Sequence, residues 1–165
     1  MKNSKILILA IAAVFISFSC EKNNDEFGEG VTFTEIVDDS TNPLTLGDHL
    51  VDYAEIIGYD SSMHMFSLTD EAGERIRSQH YPVTPTPFAV AVDGELIYIA
   101  HFVPGYSSIA FYEGIRVDPF SYNNKYVMEL GYPTSDLYSG TDPRNDDRII
   151  SRLEKDDKLI EGEGS

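Results

Sequence analysis

The chain has four histidines, whose spacing can be compared with that of metal-binding motifs. They are His49, His64, His80 and His101. None lies three or four residues from another, so the chain has no helical metal-binding pair of the HExxH kind. Met63 and Met65 flank His64, and methionine and histidine are ligands that copper(I) accepts. Adjacent residues of a strand point to opposite faces, however, so these three side chains converge only in a loop. We therefore expect neither a metal site nor a cofactor.

Catalytic chemistry based on serine or on acids has weak local signals. Ser107 and Ser108 follow Gly105, but the Gly-x-Ser-x-Gly elbow that exposes a nucleophile is missing, and a turn followed by a serine cap explains this stretch better. Four acids are close enough in sequence to consider calcium, but the EF-hand order does not occur; they are Asp136, Asp142, Asp146 and Asp147. No catalytic residue can be assigned. A carboxylate-based hydrolase stays open as an alternative, because acid pairs assembled by a fold need no local motif.

Aromatic residues are dense in the second half of the chain. Seven tyrosines and three phenylalanines lie between residues 98 and 138. Tyrosine offers a flat apolar face and a polar tip, which suits protein and sugar surfaces, although core packing explains such density equally simply. The candidate binding face consists of Tyr98, Tyr106, Tyr112, Tyr122 and Tyr126.

The first 20 residues have the parts of a secretory signal. Lys2 and Lys5 precede an apolar run from residue 6 to residue 18, and Ser19 and Cys20 follow. The run has 13 residues, whereas a membrane-spanning helix needs about 20. This segment resembles the lipobox of bacterial lipoproteins, although a serine stands where leucine is usual. The resemblance implies a signal peptide over residues 1–19 and a diacylglyceryl group on Cys20, the lipidation site that would hold the protein to a membrane.

Residues 20–30 are predicted to be a lipidated, flexible acidic tether. The acids after Cys20 resemble the export tag that sends some lipoproteins to the outer face of the outer membrane, but a solvated tether explains them as well. Cys20 is also the one cysteine of the chain, so its acylation leaves no thiol for a disulfide or a zinc site. The predicted location is the bacterial cell envelope, at the outer membrane and with the cell surface as one option.

The net charge of the predicted mature chain restricts the kinds of partner that it can bind. Removing residues 1–19 takes away two lysines and leaves 10 basic and 28 acidic side chains, a formal charge of −18. Such a surface repels nucleic acid and anionic lipid, so we expect no nucleic-acid partner. A protein or glycan partner stays open.

Hydrophobic periodicity predicts one domain over residues 31–160, followed by a frayed tail over residues 161–165. Strands are expected at residues 31–37, 115–117 and 126–130, with hairpin arms at 54–59 and 64–68. Two helices are expected, one capped by Thr69 and one capped by Asp142 with Pro143 in its first position. In the first, Glu71 would pair with Arg75; in the second, three basic residues would stay solvated, namely Arg148, Arg152 and Lys155.

The clearest local signal is a hairpin in which Asp93-Gly94 joins two apolar runs, residues 88–92 and 95–100, because this pair favours a type I′ turn. Residues 66–97 resemble the periplasmic β-α-β-β unit of the SecD translocation subunit, in which a strand runs into a helix and an Asp-Gly hairpin closes the unit. The resemblance implies a fold and little about activity.

Together these observations predict an α+β fold with one small domain, a mainly antiparallel sheet and two helices packed on it. The function they favour is that of a non-catalytic binding or accessory module, anchored to the envelope membrane, for a protein or glycan partner.

Overall fold

The structure is a computed structural model that describes residues 27–160. The predicted signal peptide, the predicted lipidation site Cys20 and the predicted frayed tail lie outside the described residues. Within them, neither helix combines the length and the apolar character needed to span a bilayer.

Residues 27–160 form ten strands and two α-helices. The strands are β1 (Val31–Asp38), β2 (Thr45–Val51), β3 (Ile56–Asp60), β4 (Met65–Leu68), β5 (Thr86–Val92), β6 (Glu95–Phe102), β7 (Phe111–Val117), β8 (Lys125–Val127), β9 (Glu129–Tyr132) and β10 (Leu159–Ile160). The helices are α1 (Asp70–Arg77) and α2 (Asp147–Lys155). The predicted α+β class is confirmed, although strands dominate and form two sheets instead of one.

The larger sheet has the order β2-β1-β5-β6-β7-β9, and the smaller has the order β10-β3-β4-β8. Most pairs are antiparallel; β6 with β7 and β10 with β3 are parallel. The predicted hairpin is the central β5–β6 pair of the larger sheet. Its turn has positive φ at both Asp93 (48°) and Gly94 (83°), as a type I′ turn requires, so this prediction is confirmed.

Aromatic side chains join the two sheets. Phe33 of β1 meets Phe66 of β4 edge to face, with ring centroids 5.1 Å apart, and Phe66 contacts Tyr59 of β3 at 4.3 Å. Phe88 and Phe102 stack across the central hairpin at 4.3 Å. All five side chains are buried, so the core lies between the sheets and under the helices.

The predicted cap of α1 is confirmed, because the Thr69 side chain accepts a hydrogen bond from the Ala72 amide. The predicted pairing of Arg75 with Glu71 is wrong. Arg75 binds Glu55 through two hydrogen bonds of 2.6 and 2.8 Å, because the capped turn before β3 brings that partly buried carboxylate to it. An intrahelical pair on the solvated face would gain less.

The start of α2 is also corrected. The cap is Asp146, which accepts a hydrogen bond from the Arg148 amide, whereas Asp142 binds Arg144. The Asp-Pro pair therefore begins a turn before the helix. Arg152, predicted to be solvated, has only 16% of its side chain exposed, because three carboxylates and an aromatic ring surround it.

Two further boundaries differ from the sequence prediction. The single strand expected over residues 126–130 is split at the fully buried Met128, so that β8 belongs to the smaller sheet and β9 to the larger. The ordered domain also begins before Val31. Gly30 is buried, its amide donates to Asp93 Oδ1 at 2.8 Å, and the Phe27 carbonyl accepts from the Thr32 hydroxyl at 2.5 Å. Residues 27–30 of the predicted tether are therefore packed on the domain.

Candidate binding site

The larger sheet has two distinct ends. At one, Val92 of β5 pairs with Val31, the first residue of β1, and we call it the N-terminal end. At the other, Thr86 pairs with Phe102, and we call it the far end. The six residue steps from Thr86 to Val92 separate the two ends by about 20 Å.

Exposed aromatic rings lie at the far end, on the loops that follow β6 and β7. Tyr106 is 65% exposed and stacks on Phe120, with centroids 6.1 Å apart, and Phe120 is itself 44% exposed. Phe120 also touches the buried ring of Tyr81 edge to face at 5.9 Å. Tyr122, two residues further on, is 84% exposed. We call Tyr106, Phe120 and Tyr122 the far-end aromatic cluster. Its middle ring is packed directly on the core.

The chain beside Tyr122 adopts an unusual backbone. Asn123 and Asn124 both have φ of 56°, the left-handed region, which asparagine enters more readily than most residues but still at a cost. Asn124 is buried, and its amide nitrogen donates to Asp70 Oδ1 at 2.7 Å. Its amide oxygen accepts a hydrogen bond from Arg77. The strained pair is therefore held against the first and last turns of α1.

Close approach of this loop to α1 depends on a glycine. A Cβ atom at Gly73 would overlap the Asn124 side chain, so any larger residue there would push the loop away from the helix. The Tyr126 hydroxyl donates to the Gly73 carbonyl at 3.3 Å and adds a second contact from β8. The position of Tyr122 thus follows from contacts on both sides of its loop.

A shallow cavity of about 380 Å³ lies between this loop and α1. It is lined by Phe120 and Tyr122 together with the polar residues Asp70, Arg77 and Asn123. Of the six arginines in residues 27–160, Arg77 is the one with no carboxylate within 4 Å. The cavity therefore offers aromatic faces, a hydrogen-bond acceptor and a guanidinium group without an ionic partner.

The structure separates the five tyrosines of the candidate binding face. Tyr98 and Tyr126 are buried core residues, because each points to the inner face of its strand, and they contribute no surface. Tyr112 is 44% exposed but lies near the start of β7, away from the turn that carries Phe120. Tyr106 and Tyr122 are both exposed on the far-end loops, where Tyr106 stacks on Phe120 and Tyr122 follows Phe120 by two residues. Sequence reasoning missed Asp70, Arg77 and Asn124; the Asn123-Asn124 pair, a left-handed turn signal, could have marked this loop.

A second polar cluster joins the β3–β4 turn to the segment before α2. The Tyr59 hydroxyl lies 2.9 Å from both the Arg144 carbonyl and Asn145 Oδ1, and His64 Nδ1 lies 3.3 Å from that oxygen. Burial lowers the pKa of His64 and raises that of Tyr59. These groups hold two segments together; His64 itself lies in the turn, with φ of 50°, and not on the predicted strand.

Two of the four acids considered for calcium have other partners. Asp142 and Asp146 bind Arg144 and Arg148, and the hydrogen bonds from Arg148 hold the pKa of Asp146 at about 2. No group of three or more histidine, cysteine or acidic side chains in residues 27–160 is arranged to hold a metal ion. Ser107 is buried, and its hydroxyl donates to the Val83 carbonyl at 2.9 Å and accepts from the Ile109 amide, so it stabilises a turn.

Comparisons with known proteins add no relatives to this picture. No protein-family model matches the chain, and neither the curated proteins nor the solved structures yield a match.

Proposed function

We propose that this protein is a lipid-anchored binding module of the bacterial cell envelope, attached to the outer membrane through Cys20, which recognises a protein or glycan partner with the far-end aromatic cluster. The observation that carries the proposal is the exposure of Tyr106, Phe120 and Tyr122 on loops fixed to the core. Exposed aromatic rings on a rigid support are typical of binding surfaces, since little conformational entropy is lost on association.

The relation of this surface to the predicted anchor supports the same function. Strand β1 begins with Val31 at the N-terminal end, about 20 Å along β5 from the far end that carries the aromatic cluster. A module attached through Cys20 would therefore have the cluster on the side remote from its attachment. A partner could reach it without competing with the lipid bilayer.

The lipid must supply the membrane affinity in this proposal. The mature chain carries a formal charge of −18 and has no basic stretch, so the polypeptide adds no attraction to anionic lipid. The hydrolase alternative has no comparable support, because the acids near α2 are bound to arginines in this fold.

Anchoring is tested by metabolic labelling of the full chain with a palmitate analogue. Wild type should carry the label and fractionate with membranes, whereas Cys20→Ala should remain an unlabelled precursor. Label on the Cys20→Ala variant would overturn the lipidation assignment.

Recognition is tested by photocrosslinking in intact cells with a photoreactive amino acid at position 122 or, as a matched control, at position 112. Both native tyrosines are exposed, but only Tyr122 belongs to the cluster. Discrete crosslinked products from position 122, lost when Tyr106→Ala is added and absent from position 112, support the proposal. Equal crosslinking from both positions would contradict it.

A further inference from the structure

We infer that the cavity beside Tyr122 is a subsite for an uncharged sugar ring, so that the partner recognised at the far end is a neutral glycan. This inference rests on the proposed function and narrows it to one ligand class. The lining of the cavity, the loop that displays Tyr122 and the charge of the protein support it.

The lining has the two kinds of surface that a sugar ring requires. The rings of Tyr122 and Phe120 offer apolar faces on which the C–H face of a pyranose can pack. Asp70 accepts hydrogen bonds and Arg77 donates them from a planar fork, so neighbouring hydroxyl groups of one sugar could meet both.

The size of the cavity fits a small saccharide unit. Its volume of about 380 Å³ is near the lower end of the roughly 300–1,000 Å³ that is usual for small-molecule sites. Because it is open to solvent, one ring would sit inside and the rest of a saccharide chain could continue outward from the surface.

The loop keeps the cavity formed without a ligand. Asn124 bridges Asp70 to Arg77, so it holds both polar groups in place while its own left-handed backbone turns Tyr122 outward. Backbone strain of this kind costs about 1–3 kcal/mol per residue and persists only where the surroundings impose it. The polar groups are therefore preorganised, which lowers the entropy lost on binding.

The charge of the protein favours a neutral ligand over an acidic one. The cavity wall pairs one acid with one base, but the whole chain has a formal charge of −16. A uronic acid would gain Arg77 and meet repulsion from Asp70 and from the surrounding field, whereas hydroxyl groups use both side chains.

The test is a titration of the full-length lipidated protein, held in neutral detergent micelles, followed by ligand-observed NMR. The probes are cellobiose, maltose, lactose and chitobiose, with digalacturonate as the acidic comparison. We expect at least one neutral disaccharide to bind with a Kd of about 1 mM or tighter. Tyr122→Ala should weaken it by about tenfold or more, whereas Tyr122→Phe should stay within about twofold.

Tyr112→Ala is the matched control and should bind like wild type, since that exposed tyrosine is outside the cluster. Circular dichroism checks that each variant is folded. Binding of digalacturonate alone, or of neutral sugars equally well by Tyr122→Ala, would overturn the inference.

The inference and the proposed function can fail separately. Photocrosslinking from position 122 to a protein, together with no sugar binding by wild type, would overturn the sugar subsite and leave the binding module standing. Neutral-sugar binding that survives Tyr122→Ala but is lost with Tyr112→Ala would overturn the far-end assignment and with it both proposals.

Discussion

The charged groups at the two ends of the larger sheet have different surroundings. At the N-terminal end, Arg152 lies 3.1 Å from Asp93, 3.1 Å from Asp156 and 3.4 Å from Glu29, and it stacks over the Tyr53 ring at 4.9 Å. These ion pairs and the stacking contact pack α2 against Glu29, Asp93 and Tyr53. Their contribution is to stability.

At the far end, Arg77 has no carboxylate partner among the described residues, and Tyr122 is displayed by a strained loop. Nothing in the packing of residues 27–160 requires such an exposed ring. An end whose charged groups form ion pairs with one another serves the fold, whereas an end with exposed aromatic rings and a guanidinium group without a carboxylate partner in this part of the chain is available to a ligand.

The largest effect is expected for Gly30→Val, which tests the structural role of the N-terminal end. Gly30 has φ of 75°, and a Cβ there would overlap the Tyr53 ring. Strain and overpacking together should lower the free energy of unfolding by about 3 kcal/mol. Urea denaturation measures it, with Glu29→Ala as a control that should change it by less than about 0.5 kcal/mol. A loss below about 1 kcal/mol for Gly30→Val would mean that this end is not tightly packed.

A smaller loss is expected for Asn124→Ala at the far end. The change leaves Asp70 and Arg77 without their bridge and places alanine at positive φ, so the free energy of unfolding should fall by about 1–2 kcal/mol. Asn123→Gly is the control, because glycine adopts the same φ freely, and it should stay within about 0.5 kcal/mol of wild type. Equal losses for both variants would show that the bridge adds nothing.

Acid should weaken the fold through two partly buried histidines, His64 and His101. Burial lowers the pKa of His101, which lies on β6 near the far end, and that of His64. The unfolded histidines bind protons near pH 6.5, before the folded ones do, so stability falls as pH drops through that value. The slope should reach at most about 1.4 kcal/mol per pH unit for each group.

Urea denaturation at pH 7, 6 and 5 measures this slope. His101→Leu should reduce it, and His64→Gln combined with His101→Leu should reduce it further. An unchanged slope in the double variant would assign the pH dependence to the carboxylates instead.

The smallest effect on stability is expected for Tyr122→Ala. With 84% of the residue exposed, little apolar surface returns to water, so the free energy of unfolding should change by less than about 0.5 kcal/mol. Thermal and urea unfolding both measure it. A loss of about 2 kcal/mol in the free energy of unfolding would show that Tyr122 stabilises the fold, as Gly30 does. The two ends would then not differ in this respect.

Sequence reasoning succeeded where a short motif carries the whole physical cause. The Thr69 cap and the Asp93-Gly94 turn are local, since a hydroxyl beside a free amide and a pair of residues tolerant of positive φ act within four residues. Strand β2 went unnoticed because Gly47 and Asp48 interrupt its apolar pattern, and its pairing with β1 stabilises it. The split at Met128 is invisible in sequence for a similar reason, since the residue is apolar whether the strand continues or changes sheet.

The candidate site also combines features set by the local sequence with features set by tertiary packing. By itself the sequence determined the α+β class, the residue types available for binding and the lipobox-like signal at Cys20, because these depend on composition and on neighbours along the chain. Only the tertiary structure separated the buried Tyr98 and Tyr126 from the exposed Tyr106 and Tyr122 and brought Asp70, Arg77 and Asn124 together. Asp70 and Asn124 are 54 residues apart, and no local rule joins them; the packing of β8 against α1 does.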